Sequence, residues 1–301
     1  MRSLYVILFM FLFSSFSVYA DKLYFVDAHS QFERDLEGDE IIQKMNEAGV
    51  RQSIISTRRG RKAWDAVELA SQYPERIIPS VRIKSKHYKK DSNKFYKKLR
   101  KQAESDEFMA MSEVHMFHAQ KGDKADEVKV HGDDDRIQES LSAAIDNGWP
   151  FVVHIEFASL SSDDAIIFMN ELEKLLTDNP EHPFALIHMG QLEPARVEPL
   201  LKKYKNLYFI TSHADTVTAN NSNQPWINMF DGEKIKPQWT VLMLEYPSRF
   251  VFAVDAVWAD QWRDDYVNHV ELWRKGLSFL PEDVANKIAH GNAEYLWKLK
   301  N

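Results

Sequence analysis

Cysteine is absent from all 301 residues. Its absence excludes a disulfide framework, a thiol nucleophile, an iron–sulfur site, Cys-ligated zinc and a lipidated N-terminal cysteine. Glycine is scarce, at 10 residues, and no GxxxxGK[ST] or GxGxxG string occurs, which argues against a glycine-rich phosphate loop. Positive charge is in deficit: 38 Lys and Arg face 45 Asp and Glu, for a net charge of −7. Generic nucleic-acid binding needs the opposite balance. After the N-terminus no apolar run approaches the ~18 residues of a membrane span. No Pro-, Gly- or Ser-rich linker and no compositional break divides the chain, and no repeat is evident. What is present is ample: 44% hydrophobic residues, enough for one large buried core.

Residues 1–20 read MRSLYVILFMFLFSSFSVYA. Arg2 supplies a positive start, residues 4–13 are unbroken apolar, and Val18-Tyr19-Ala20 suits cleavage before Asp21. This is the pattern of a cleaved secretory signal. The expected product is a secreted or periplasmic domain spanning 21–301, free of the membrane once the signal is removed. Its charge is −8, from 37 basic and 45 acidic residues.

From Lys22 onward, β-branched or aromatic runs alternate with stretches of helical period. The runs are 23–29, 51–56, 76–83, 108–116, 150–157, 183–190, 206–213 and 250–257. Between them lie helical patterns such as 38–49, 62–72, 134–148, 162–178 and 193–204. Asp39 and Ser161 or Ser162 are candidate N-caps, and Gly49 and Gly148 candidate C-terminal stops. Eight strand–helix alternations predict a single α/β (β/α)8 TIM barrel, which takes ~250 residues. The runs are hydrophobic throughout, as strands buried on both faces must be. A doubly wound sheet shares the local pattern but normally carries a glycine-rich first turn. The irregular stretches 117–133 and 214–235 both follow strands and are expected to lie over the active face.

In such a barrel the chemistry sits at the C-terminal strand ends. Those ends carry Asp27-Ala28-His29-Ser30-Gln31, Glu113-Val114-His115, His154-Ile155-Glu156, His188-Met189-Gly190 and Asp255. A lone histidine in an apolar strand is usually a satisfied core residue. Histidine and carboxylate at several strand ends together are costly to bury unless they satisfy one another or a metal. Imidazole and carboxylate suit zinc, manganese or iron. A divalent cation would acidify a water and polarise a carbonyl, with Asp255 accepting the proton.

The set resembles the amidohydrolase superfamily, and within it the amidohydrolase-related branch of metal-dependent hydrolases, lactonases and decarboxylases. The matching elements are Asp27-Ala28-His29, Glu113, His154, His188-Met189-Gly190, Asp255 and the closing His290-Gly291-Asn292-Ala293-Glu294-Tyr295-Leu296-Trp297. The resemblance implies one divalent metal ion, zinc first and manganese second, with His29, Gln31, His154, His188 and Asp255 as candidate ligands. It implies Asp255 as base, His188 positioning or polarising the carbonyl, and Glu113 as ligand or proton relay. One position departs from the pattern: the His-x-His of the first strand is here His29-Ser30-Gln31. Gln31 binds the metal weakly or through water, the remaining ligands hold it alone, or no tight metal is held. His115 and His213 are candidate substitutes, against the plainer reading of each as a core or exposed histidine.

Two basic segments, 56–62 and 82–87, emerge on the same face. Arg58 and Arg82 are the candidates for gripping a carboxylate- or phosphate-bearing small molecule, although a solvated basic loop is the plainer reading. Trp258, three residues beyond Asp255, is the candidate pocket-mouth aromatic, although such tryptophans more often pack. The leading expectation is an exported hydrolase of a lactone, ester or amide carbonyl. The alternatives are nonoxidative decarboxylation of an unsaturated or aromatic acid, a metal-free lactonase, and a non-catalytic binding barrel. The sequence leaves the oligomeric state open, with a homo-oligomer possible.

Overall fold

The computed structural model describes residues 23–123 and 125–300. The expected signal at 1–20 lies outside the described residues. Twelve strands occur in the order β1 (Phe25–Phe32), β2 (Val50–Thr57), β3 (Ile77–Val81), β4 (Ala110–Met111), β5 (Val114–His118), β6 (Val128–Lys129), β7 (Phe151–Ile155), β8 (Phe184–Leu186), β9 (Leu207–Ile210), β10 (Phe230–Asp231), β11 (Lys234–Ile235) and β12 (Phe250–Val251). β1, β2, β3 and β4 form one parallel run, and β5, β7, β8, β9 and β12 another. β4 and β5 are one stave of the barrel, interrupted only at Ser112 and Glu113. Backbone bonds from Ala28 N to Phe252 O (3.1 Å), Asp255 N to His29 O (2.8 Å) and Gln31 N to Ala256 O (2.9 Å) join the last stave to the first. The fold is a TIM barrel, with each of the eight expected runs supplying one stave.

Residue parity decides which side chains face inward. Val26, Ile54, Ile78, Ala110, Val152, Ala185, Ile210 and Val251 form the interior cluster. Their immediate neighbours, such as Phe25, Ile55, Ile77, Met111, Phe151, Phe184, Phe209 and Phe250, pack in the thicker layer beneath the helices. Small and β-branched residues fill the narrow interior, and aromatic rings fill the wider shell. The closing helix Asn292–Trp297 puts Ala293, Leu296 and Trp297 into the interior cluster. Asn292 Nδ2 donates to Phe250 O (2.7 Å) and Pro247 O (2.9 Å), pinning that helix to the last stave.

The helices begin and end much as their sequences indicate. Ser161 caps Ser162–Asp178, accepting from Asp164 N. Gly49 and Gly148 terminate their helices at φ 72° and 65°. Asp39 does not cap Gly38–Ala48. Glu37 does, in a reciprocal capping box with Glu40, a role that glutamate rarely fills. The lysines of Asn93–Ala103 are solvent-exposed while Phe95 and Leu99 are buried. No helix among the described residues is long and apolar enough to cross a membrane.

Candidate active site

The C-terminal strand ends bring six of the expected residues together: His29, Gln31, Glu113, His154, His188 and Asp255. His29 Nε2 lies 3.5 Å from Glu113 Oε1 and 3.5 Å from Asp255 Oδ1. It has no hydrogen-bond partner among the described residues, although it is buried. His188 Nε2 lies 3.8 Å from Glu113 Oε2 and 3.6 Å from Asp255 Oδ2. Its other nitrogen pairs with Ser212 Oγ at 2.9 Å, which fixes the ring. His154 contacts Glu113 Oε2 through Nδ1 and Glu156 Oε1 through Nε2 at 3.0 Å. Both of its nitrogens therefore face carboxylates, and it stands in two sets of donor atoms lying within 4.8 Å of one another, one with Glu113 and His188 and one with His118 and Glu156. Burial works against its charge, but Glu113 and then Glu156 outweigh that and raise it to about 9.

Gln31 is held by its backbone, whose carbonyl accepts from Trp262 Nε1 at 3.0 Å. Its Nε2 donates to Asp255 Oδ1 at 2.9 Å, and its Oε1 is buried without a partner among the described residues. The departure from the family pattern thus puts a donor against Asp255. His115 Nε2 reaches within 3.7 Å of Glu113 Oε2, and His213 Nε2 within 3.7 Å of Asp255 Oδ2. Both candidate substitutes stand at the site. Burial lowers His115 to about 4 and also lowers His188 and His213. Burial raises Glu113, but the charges of Lys84 and His154 override it and hold the carboxyl well below its ordinary range.

Backbone strain concentrates here. His188, Met189 and Gln191 are left-handed at φ 56°, 55° and 54°, as are His213 (57°) and Asp255 (55°). Residues other than glycine adopt this region at a cost of about 1–2 kcal/mol each. Gly190 is required: a Cβ there would meet Leu186 Cδ2 at 2.5 Å. The strained turns aim His188 and Asp255 across the mouth instead of along their strands.

The rim divides the two expected arginines. The Arg58 guanidinium stacks 3.7 Å above Trp258 and faces the charges of Asp255, Glu33 and Glu113. Arg82 is turned away: it donates to Arg61 O (2.6 Å) and Lys84 O (3.1 Å) and braces the loop. Two of its N–H groups are thereby engaged by backbone carbonyls. The residue of that segment that reaches the site is Lys84, in contact with Glu113 Oε1. The two irregular stretches meet beside this cluster. Lys121 from the first bonds both oxygens of Glu156 at 2.8 Å and Gln224 of the second at 2.9 Å. Trp226, from the same stretch as Gln224, lies 5.0 Å from the ring of His188 and 4.8 Å from that of His213. Lys121 carries no motif, and only the tertiary contacts reveal it, whereas Lys84 belongs to the basic segment 82–87 and Trp226 to the tryptophans that crowd the C-terminal part of the sequence.

A sequence profile of the amidohydrolase family matches residues 46–299. The chain belongs to the amidohydrolase family. It is accordingly a hydrolase acting on C–O or C–N bonds. Its fold is shared with a dihydroorotase from Saccharomyces cerevisiae in complex with 5-fluoroorotic acid (14% identity, 92% of this chain and 85% of that one, TM-score 0.58). It is shared too with an amidohydrolase from Burkholderia multivorans with bound zinc (14%, 92% and 100%, TM-score 0.55). A third is a probable 2-pyrone-4,6-dicarboxylic acid hydrolase from Acinetobacter baumannii with citric acid bound (13%, 91% and 99%, TM-score 0.54). Among curated proteins none matches the chain.

Proposed function

We propose that this amidohydrolase is an exported, cation-assisted hydrolase of a lactone, ester or amide carbonyl on a small anionic substrate. One observation carries the reading. His29 Nε2 is buried and unpaired, and it faces one oxygen each of Glu113 and Asp255 at 3.5 Å. One imidazole nitrogen and two carboxylate oxygens, all within 4.8 Å of one another, are donors that zinc or manganese accepts. His29, Glu113 and Asp255 would hold the cation, with Gln31 Oε1 and the imidazole of His188 or His213 beside them. A divalent cation there supplies an acidified water and a polarised carbonyl.

The chain's own groups do the rest. Asp255 has one oxygen bonded by Gln31, which orients the carboxylate, and its other oxygen accepts the proton of the attacking water. His188, fixed by Ser212, directs Nε2 toward the substrate carbonyl. Trp226 covers the two imidazoles and limits water. Arg58, backed by Trp258, holds the substrate's anionic group at the rim. A second reading, hydrolysis by the same residues without a cation, is favoured by the donation of Gln31 to Asp255.

The test is a panel of carboxylate-bearing lactones, esters and amides assayed with chelator-stripped protein and again after zinc or manganese addition. The expected result is water uptake restored by the cation. Equal rates in both states would replace this reading by the cation-free one. Carbon dioxide release would replace hydrolysis by decarboxylation.

A further inference from the structure

Five nitrogens converge on the Glu113 carboxylate. Four are imidazole atoms: His29 Nε2 (3.5 Å), His115 Nε2 (3.7 Å), His188 Nε2 (3.8 Å) and His154 Nδ1. The fifth is the ammonium of Lys84, which contacts Oε1. Oε1 is also the oxygen that faces the unpaired Nε2 of His29. The same atom is therefore claimed by a lysine and by the cluster that suits a divalent cation.

The two claims exclude each other. An ammonium and a divalent cation within a few ångströms repel strongly in a buried site. Glu113 has no exposed surface, whereas the Lys84 side chain is 28% exposed and is carried on a four-carbon stem beyond the end of β3. The imidazoles sit on strands and strained turns, and Arg58 is stacked on Trp258. Lys84 is the cation of the group with both a route to solvent and the flexibility to take it.

Resting on the cation-assisted reading above, we propose that Lys84 is a built-in counter-ion that competes with the divalent cation for Glu113. In the metal-free protein its ammonium compensates the buried carboxylate, which would otherwise be severely destabilising. When a cation binds between His29, Glu113 and Asp255, the ammonium leaves Oε1 for the pocket mouth. Gln31 treats the other carboxylate alike, donating to Asp255 Oδ1 at 2.9 Å. The protein thus stabilises its metal-free state at the expense of cation affinity.

The test compares wild type, Lys84→Met and Lys84→Gln, each chelator-stripped, by calorimetric titration with zinc chloride and by thermal melting with and without zinc. Both variants are expected to bind zinc about tenfold or more tighter than wild type. Both are expected to melt below wild type without zinc and to recover its melting temperature with zinc. Lys84→Gln, which keeps a polar head near Glu113, guards against a failure of Lys84→Met to fold. Unchanged or weaker zinc affinity in the variants, with wild type binding, overturns the role of Lys84 alone. No binding by any of the three overturns both that role and the cation-assisted reading.

Discussion

The two mouths of the barrel are built from the same eight staves and could hardly differ more. At the N-terminal mouth the helix Asn292–Trp297 closes the bore with Ala293, Leu296 and Trp297 against Val26, Ile54, Ile78, Val152 and Val251. At the C-terminal mouth His29, Glu113, His154, His188 and Asp255 are as deeply buried, yet His29 Nε2, with Gln31 Oε1, His115 Nε2 and His213 Nδ1 around it, has no hydrogen-bond partner among the described residues. Left-handed residues gather at this end, at His188, Met189, Gln191, His213 and Asp255. One end contributes stability through apolar burial. The other carries strain and uncompensated polar groups, which only a ligand or a reaction makes useful.

Asp27 and Glu113 sharpen the contrast, since neither has any exposed surface. Asp27 accepts from Ser30 Oγ (2.6 Å), Ser53 Oγ (3.2 Å), Tyr266 OH (3.2 Å), Val254 N (3.0 Å) and His29 N (3.3 Å). These donors tie the first stave to the last, and burial raises its pKa despite them. Glu113 is ringed by imidazoles and a lysine instead. The first is a structural staple and the second is poised for exchange.

Substitutions that separate the two ends test this division. Asp255→Ala should lower kcat on a panel substrate by about 10³-fold without lowering the urea midpoint; activity near wild type would remove it as the base. Asp27→Ala should cost about 3 kcal/mol of stability in urea unfolding, because several buried donors lose their acceptor. A loss under about 1 kcal/mol would deny it the staple role. Leu296→Ala should cost about 2–3 kcal/mol through a cavity in the bore, with kcat unchanged, and a fall in kcat would show the two ends to be coupled. Gln31→His should tighten zinc binding about tenfold by replacing a donor to Asp255 with an imidazole ligand; calorimetry showing weaker binding would assign Gln31 a positive part in the site. Smallest, Arg58→Ala should raise KM for an anionic substrate about fivefold, whereas Arg82→Ala should leave KM alone and lower only the melting temperature. Equal KM changes in both would erase the distinction between them.

Strand parity, a local property, made only part of the site legible: His29, Glu113 and His188 each stand three residues beyond an interior-facing residue, off its parity. His154 stands two residues beyond the interior-facing Val152, and its inward position follows from that spacing. The eight staves follow from runs of apolar residues too short and too β-branched for helices. The stave break at Ser112 and Glu113 carries no such mark, because a strand's local preference does not register which neighbour it will pair with. Arg58 and Arg82 look equivalent in sequence, both basic and both near strand ends. Their fates diverge because the carbonyls of Arg61 and Lys84 lie within reach of one, and the face of Trp258 within reach of the other.

By itself the sequence determined the alternating barrel, the apolar character of its staves and the set of imidazoles and carboxylates at one end. With no cysteine, it also denied any transition metal a thiolate ligand. These are properties of short segments and of composition. Only the tertiary structure decided that both nitrogens of His154 are held by carboxylates, that Gln31 donates to Asp255, and that Lys84 rests on Glu113. Those pairings join strands far apart in the chain, and their energies depend on burial that exists only once the barrel is closed.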